Sequence, residues 1–103
     1  MTGVRRYADP EAAIQVAVGE QFAVELAGNP STGYTWQVRV DGRLLELLGQ
    51  EFEPSGDGVG AGGVEVFRLR ALAAGETEIA CAYQRPWDTE SRDTRRFRVA
   101  VSE

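Results

Sequence analysis

Apolar residues recur in this chain at every second position, in short runs broken by turn signals. Ile14, Val16 and Val18 alternate with Gln15 and Ala17. Phe22, Val24 and Leu26 follow the same rule, as do Tyr34, Trp36, Val38 and Val40 against Thr35, Gln37 and Arg39. Later runs place Phe67, Leu69 and Ala71, then Thr77, Ile79, Cys81 and Tyr83, then Phe97, Val99 and Val101, on one face each. A period of two is that of a strand buried on one side. Gly19-Glu20, Asp41-Gly42 and Ala74-Gly75-Glu76 punctuate the runs as turns. The stretch LLELLGQEFE reads as an irregular start followed by a strand over 48–53. About seven short strands with no long helical pattern predict an all-β sandwich of immunoglobulin-like type. Trp36 falls mid-core on the third strand and Cys81 on the sixth. With a single cysteine no disulfide is possible, and Cys81 reads as a small buried hydrophobe.

The 103 residues suit one domain spanning 1–103, long enough to build a core without metals or bridges. Hydrophobic content of 43% and charged content of 26% fit a folded globular chain. A net charge of −5 argues against nucleic acid and anionic membranes as partners. No apolar run approaches the roughly 20 residues of a membrane helix. The opening MTGVRRYADP has no apolar core and no small-residue cleavage site, so no signal peptide is expected and the cytoplasm is favoured. A trimmed secreted or periplasmic form is compatible with the same residues. Histidine is absent altogether, which removes the commonest general base, the usual partner of a Ser or Cys nucleophile, and the commonest metal ligand. The carboxylates are scattered over strand faces and loops. No catalytic residue, metal site or cofactor is expected, and the chain does not read as an enzyme.

Three connections are too elaborate for simple turns. NPSTGY, residues 29–34, puts a turn starter, two hydroxyls and a glycine in front of Tyr34 and Trp36. PSGDGVGAGG holds five glycines in ten residues. QRPWDTESRDT sets Trp87 and Arg85 in a polar loop. Each has a plain structural reading: Asn29-Pro30 as a turn, the glycines as a flexible connector, Trp87 as a lid over the core. In a chain that alternates direction, however, these three connections share one end of the sandwich, and the tight turns share the other. Rigid scaffolds carry function on such loops, and a Trp beside an Arg is an enriched interface pair. On these residues alone that end reads as a binding surface, as in an adhesion or assembly module that holds another protein or a glycan.

Taken together, the three loops point to a different function through a resemblance. NPSTGY at 29–34, GAGG at 60–63 and RPW at 85–87 resemble, in order and spacing, the three motifs of chagasin-type inhibitors of cysteine proteases. The resemblance extends over essentially the whole chain. It implies an immunoglobulin-like sandwich, acting as a monomer, that reversibly blocks papain-like cysteine proteases by lodging three loops along the active-site cleft. By position, Asn29, Pro30, Ser31, Thr32, Gly33 and Tyr34 would form the central wedge, with Thr32 near the enzyme's catalytic Cys-His pair. Gly60, Ala61, Gly62 and Gly63 would lie along the cleft on one side. Arg85, Pro86 and Trp87 would contact the other, Trp87 against an aromatic surface. Many members have Thr where this chain has Ser31; the hydroxyl is kept and a methyl is lost, a change expected to alter affinity without abolishing binding. An inhibitor of this type needs no catalytic residue, which agrees with the missing histidines.

Overall fold

The computed structural model describes residues 4–29, 32–54 and 62–103. Among the described residues, eight strands follow one another: β1 (Arg5–Tyr7), β2 (Ile14–Ala17), β3 (Gln21–Gly28), β4 (Thr35–Arg39), β5 (Leu45–Pro54), β6 (Gly63–Ala71), β7 (Gly75–Gln84) and β8 (Asp93–Ser102). They form two four-stranded sheets, in the orders β1-β3-β6-β5 and β2-β8-β7-β4. The predicted inward faces meet between them. Ile14, Phe22, Val24, Trp36, Phe67, Leu69, Ile79, Cys81, Phe97 and Val99 belong to one buried cluster drawn from both sheets. Cys81 is the buried apolar residue it was read to be. The all-β sandwich is as expected from the alternation.

The strand count is one higher than expected, and the difference is β1. It pairs parallel to β3, Arg5 opposite Phe22, while β2 pairs parallel to β8, Ile14 opposite Val99. The first segment therefore crosses from one sheet to the other. Val18, read as inward, is exposed; its N–H donates to the Ser102 carbonyl (2.8 Å) as the chain turns out of β2. Tyr34, Val38 and Val40 lie half-buried rather than deep in the core. β5 begins at Leu45, earlier than the expected 48, and its register against β6 shifts between Leu47 and Gly49. Such an irregularity switches which residues face inward, so no single alternation runs through LLELLGQEFE. Among the described residues, one charged side chain is buried with the core: Glu65, 4% exposed.

Candidate functional site

Register alone gathers the three elaborate connections. Gly28, the last residue of β3, pairs with Gly63, the first of β6, and Gly63 pairs with Pro54, the last of β5. Thr35, the first of β4, pairs with Gln84, the last of β7, and Tyr83 pairs with Asp93, the first of β8. The stems of 29–34, 55–62 and 85–92 thus share one end of the sandwich. The tight turns at Gly19 and between β4 and β5 meet at the other, where Gly19 N–H and Leu72 N–H bond the Ala71 and Leu44 carbonyls at 2.8 and 2.7 Å.

The central connection is tied down at both stems. The indole Nε1–H of Trp36 donates to the Ala27 carbonyl (2.9 Å), across the mouth of the loop. The backbone N–H of Asn29 donates to the Tyr83 hydroxyl (3.3 Å). Within the loop, the Asn29 carbonyl accepts from both the N–H (3.1 Å) and the hydroxyl (2.8 Å) of Thr32. Gly33 has φ +85°, the left-handed region that glycine enters without steric cost. Thr32 and Gly33 are exposed. Loops braced in this way lose little conformational freedom when they bind.

Aromatic rings carry the bracing into the core. Tyr34 stacks on Tyr83 with centroids 5.4 Å apart, and Tyr83 lies 4.9 Å from Trp36. On the outer side, Arg85 and Arg92 approach the Tyr34 ring at 5.2 and 5.3 Å. Arg85 also lies 5.4 Å from the Trp87 ring. A continuous chain of contacts therefore runs from exposed Trp87 through Arg85, Tyr34 and Tyr83 to buried Trp36. It couples the first and third loops.

The third connection has its own supports. Asp88 accepts from Arg85 Nε (3.0 Å), and its N–H donates to the Arg85 carbonyl (3.0 Å). The Arg85 guanidinium holds the Asp88 carboxyl below its ordinary value. Gln84 Nε2 donates to the Asp88 carbonyl (3.1 Å), and Arg92 N–H to the Tyr83 carbonyl (2.7 Å). Trp87 is 71% exposed, so it does not cover the core.

Of the residues expected at the site, Asn29, Thr32, Gly33, Tyr34, Gly62, Arg85, Pro86 and Trp87 stand at this end, and Pro30, Ser31, Gly60 and Ala61 lie outside the described residues. Gly63 is there too but buried; a Cβ on it would collide with the Glu53 carbonyl oxygen. Its need for glycine is met inside the sheet. Sequence reasoning missed Arg92 and Glu65. Nothing in the pattern marks Arg92. Glu65 was within reach, because the inward series Phe67, Leu69, Ala71 extends back by two residues to it.

Chemically, this end offers shape, aromatic surface and cations. Among the described residues, no cluster of His, Cys, Asp and Glu could hold a metal ion. Burial pushes the Cys81 thiol up to about 11, so it is inert at neutral pH. A braced sandwich presenting loops from one end has the architecture of a recognition protein that acts by occupying a partner's surface. The chain belongs to the chagasin family of peptidase inhibitors: the family model described as Chagasin family peptidase inhibitor I42 matches residues 15–101. Chagasin of Trypanosoma cruzi is 34% identical over 94 residues, covering 85% of this chain and 86% of that protein. Amoebiasin-1 of Entamoeba histolytica is 32% identical over 90 residues, covering 86% and 87%. The fold matches the crystal structure of the cysteine protease inhibitor EhICP2 from Entamoeba histolytica, with TM-score 0.80, 21% identity and 95% of each chain covered. It also matches PbICP-C, solved in complex with falcipain-2, with TM-score 0.59, 19% identity and coverage of 98% of this chain and 91% of that one. The chain is thus a member of a cysteine peptidase inhibitor family and not an enzyme.

Proposed function

We propose that this inhibitor blocks papain-like cysteine proteases reversibly, one monomer per enzyme, by laying the loop end along the active-site cleft. The observation that carries the reading is the convergence of all three stems at one end, with Thr32, Gly33 and Trp87 exposed there. The segment 29–34 is the wedge, Thr32 nearest the catalytic Cys-His pair, and 60–63 and 85–87 flank it. Standard protease–inhibitor contacts bury about 1,600 Å² in total, within reach of such an end. The complex named for PbICP-C supports the choice of partner class.

Papain is the cheapest test. Micromolar protein should suppress peptide hydrolysis competitively, and intact inhibitor should be recovered afterwards. No inhibition of papain or of two further enzymes of its type would end the proposal. Cys81→Ser should inhibit as wild type once folded, because the thiol is buried and cannot reach a partner.

Two substitutions separate wedge shape from wedge strain. Thr32→Arg adds bulk and charge at an exposed point, and it should weaken inhibition at least about tenfold. It also removes the hydroxyl bond to the Asn29 carbonyl, so stability should fall by up to about 1 kcal/mol. At Gly33 an added Cβ meets no atom within 4 Å, so the main cost of Gly33→Val is in the backbone. At φ +85° that cost is about 1–2 kcal/mol, and inhibition should fall with it as the wedge shifts. Thermal unfolding and inhibition constants measured on each variant decide the matter. Wild-type inhibition by both would take the 29–34 loop out of the cleft.

A further inference from the structure

We infer that Glu65 is a positioning residue for the central loop, a carboxylate set between the sheets that fixes where the wedge leaves the fold. The inference rests on the proposed inhibitory role of the loop, but its structural half stands by itself.

Among the described residues, β4 is the edge strand of its sheet, bonded only to β7. The Trp36 N–H points away from that partner. Glu65, which belongs to the other sheet, supplies the acceptor: its Oε2 takes the Trp36 N–H at 3.1 Å. The second oxygen, Oε1, accepts from Gln50 Nε2 of β5 at 3.1 Å. One side chain thus links β4, β5 and β6 across the sandwich. Trp36 in turn holds Ala27 through its indole, so both stems of the 28–35 segment depend on its position. Gly28 completes the arrangement. A Cβ there would sit 3.4 Å from Glu65 Oε2 and 3.5 Å from both Trp36 Nε1 and Tyr83 Cε1, so the three clamping side chains close around a residue that has none.

The chemistry is unusual for simple packing. A buried carboxyl costs free energy unless its oxygens are bonded, and a hydrophobic residue of similar volume would fill the space more cheaply. Burial pushes the Glu65 carboxyl above its ordinary value, against the pull of the Trp36 and Gln50 bonds. What a hydrocarbon cannot do is accept the edge N–H. Without that bond, the first residues of β4 keep only their β7 partners, and the stem is free to splay.

The test compares Glu65→Leu with Glu65→Gln. The leucine keeps volume and removes both acceptors. The glutamine keeps an oxygen for Trp36 N–H, and Gln50 can rotate its amide to face the new NH₂. Two quantities are read: inhibition of papain, and hydrogen exchange at the Trp36 backbone amide, with the Phe67 and Leu69 amides as internal controls for global stability. In E65L, Trp36 exchange should rise at least about tenfold relative to the controls, and inhibition by folded protein should weaken at least about tenfold. E65Q should stay within about threefold of wild type in both. Folded E65L with wild-type exchange and inhibition overturns the inference, as does E65Q as impaired as E65L. Should E65L not fold, Gln50→Ala carries the test from an exposed position. It should raise Trp36 exchange and weaken inhibition by a few-fold, and wild-type values for both would count against Glu65. If wild-type protein fails to inhibit papain, the protease reading falls, while the exchange measurements still decide whether Glu65 positions the loop.

Discussion

Trp36→Ala is expected to remove about 3–5 kcal/mol of folding stability, the range for truncating a buried tryptophan. The side chain is 5% exposed and belongs to the central cluster. Its loss opens a cavity between the sheets and deprives Tyr83 of a ring partner 4.9 Å away. It also removes the indole donor from the Ala27 carbonyl, 2.9 Å away. Domains of this size hold only about 5–15 kcal/mol in total, so the variant should sit near the edge of folding. Urea unfolding, with the midpoint lowered and the slope kept, is the measurement. A loss under about 1 kcal/mol would contradict the burial, because surface substitutions fall in that range and core tryptophans do not.

Trp87→Ala should do the reverse. The residue is 71% exposed, with the Arg85 guanidinium 5.4 Å from its ring. Stability should change by no more than about 0.5 kcal/mol. Binding to a papain-like protease should weaken by about 1–3 kcal/mol, roughly five- to two-hundredfold, if the ring is buried by the enzyme. An exposed indole beside an arginine is the kind of large apolar surface that contributes most when a partner buries it. Equal thermal midpoints and unequal inhibition constants are the expected pair. A variant that loses its midpoint, yet inhibits normally in its folded fraction, would mean that Trp87 serves the fold.

These opposite fates of two tryptophans show what the sequence carried. Trp36 continues a period-two series, so its burial was legible from neighbours alone; Trp87 in its polar loop left a lid over the core open, and its 71% exposure decides against it. The same holds for Phe22, Phe67 and Phe97, each on a clean alternation. Legibility failed where alternation did. Arg5–Tyr7 is too short to show a period, and its partner β3 lies far along the chain. The irregularity after Leu47 inverts the phase within β5, so its apolar residues could not be assigned one face. Val18 kept the apolar pattern after the strand had ended. At the site, the three loops were readable as motifs, and their convergence followed from strand direction. The bracing was not, because Tyr83 bonding Asn29 and Glu65 bonding Trp36 join residues 54 and 29 positions apart. Local pattern has no means of expressing such pairs.

The crossing of the first segment between sheets has a consequence for how the molecule can be carried. Arg5 stands opposite Phe22, and Ser102 opposite Ala17, so both described termini emerge at the end away from the loops. Seen as hardware, the sandwich is a plug with its handle at the back. Whatever is joined to either terminus, whether a membrane tether, a neighbouring module or a solid support, trails behind the working face. Copies strung in series would each keep that face clear, and each could engage its own protease.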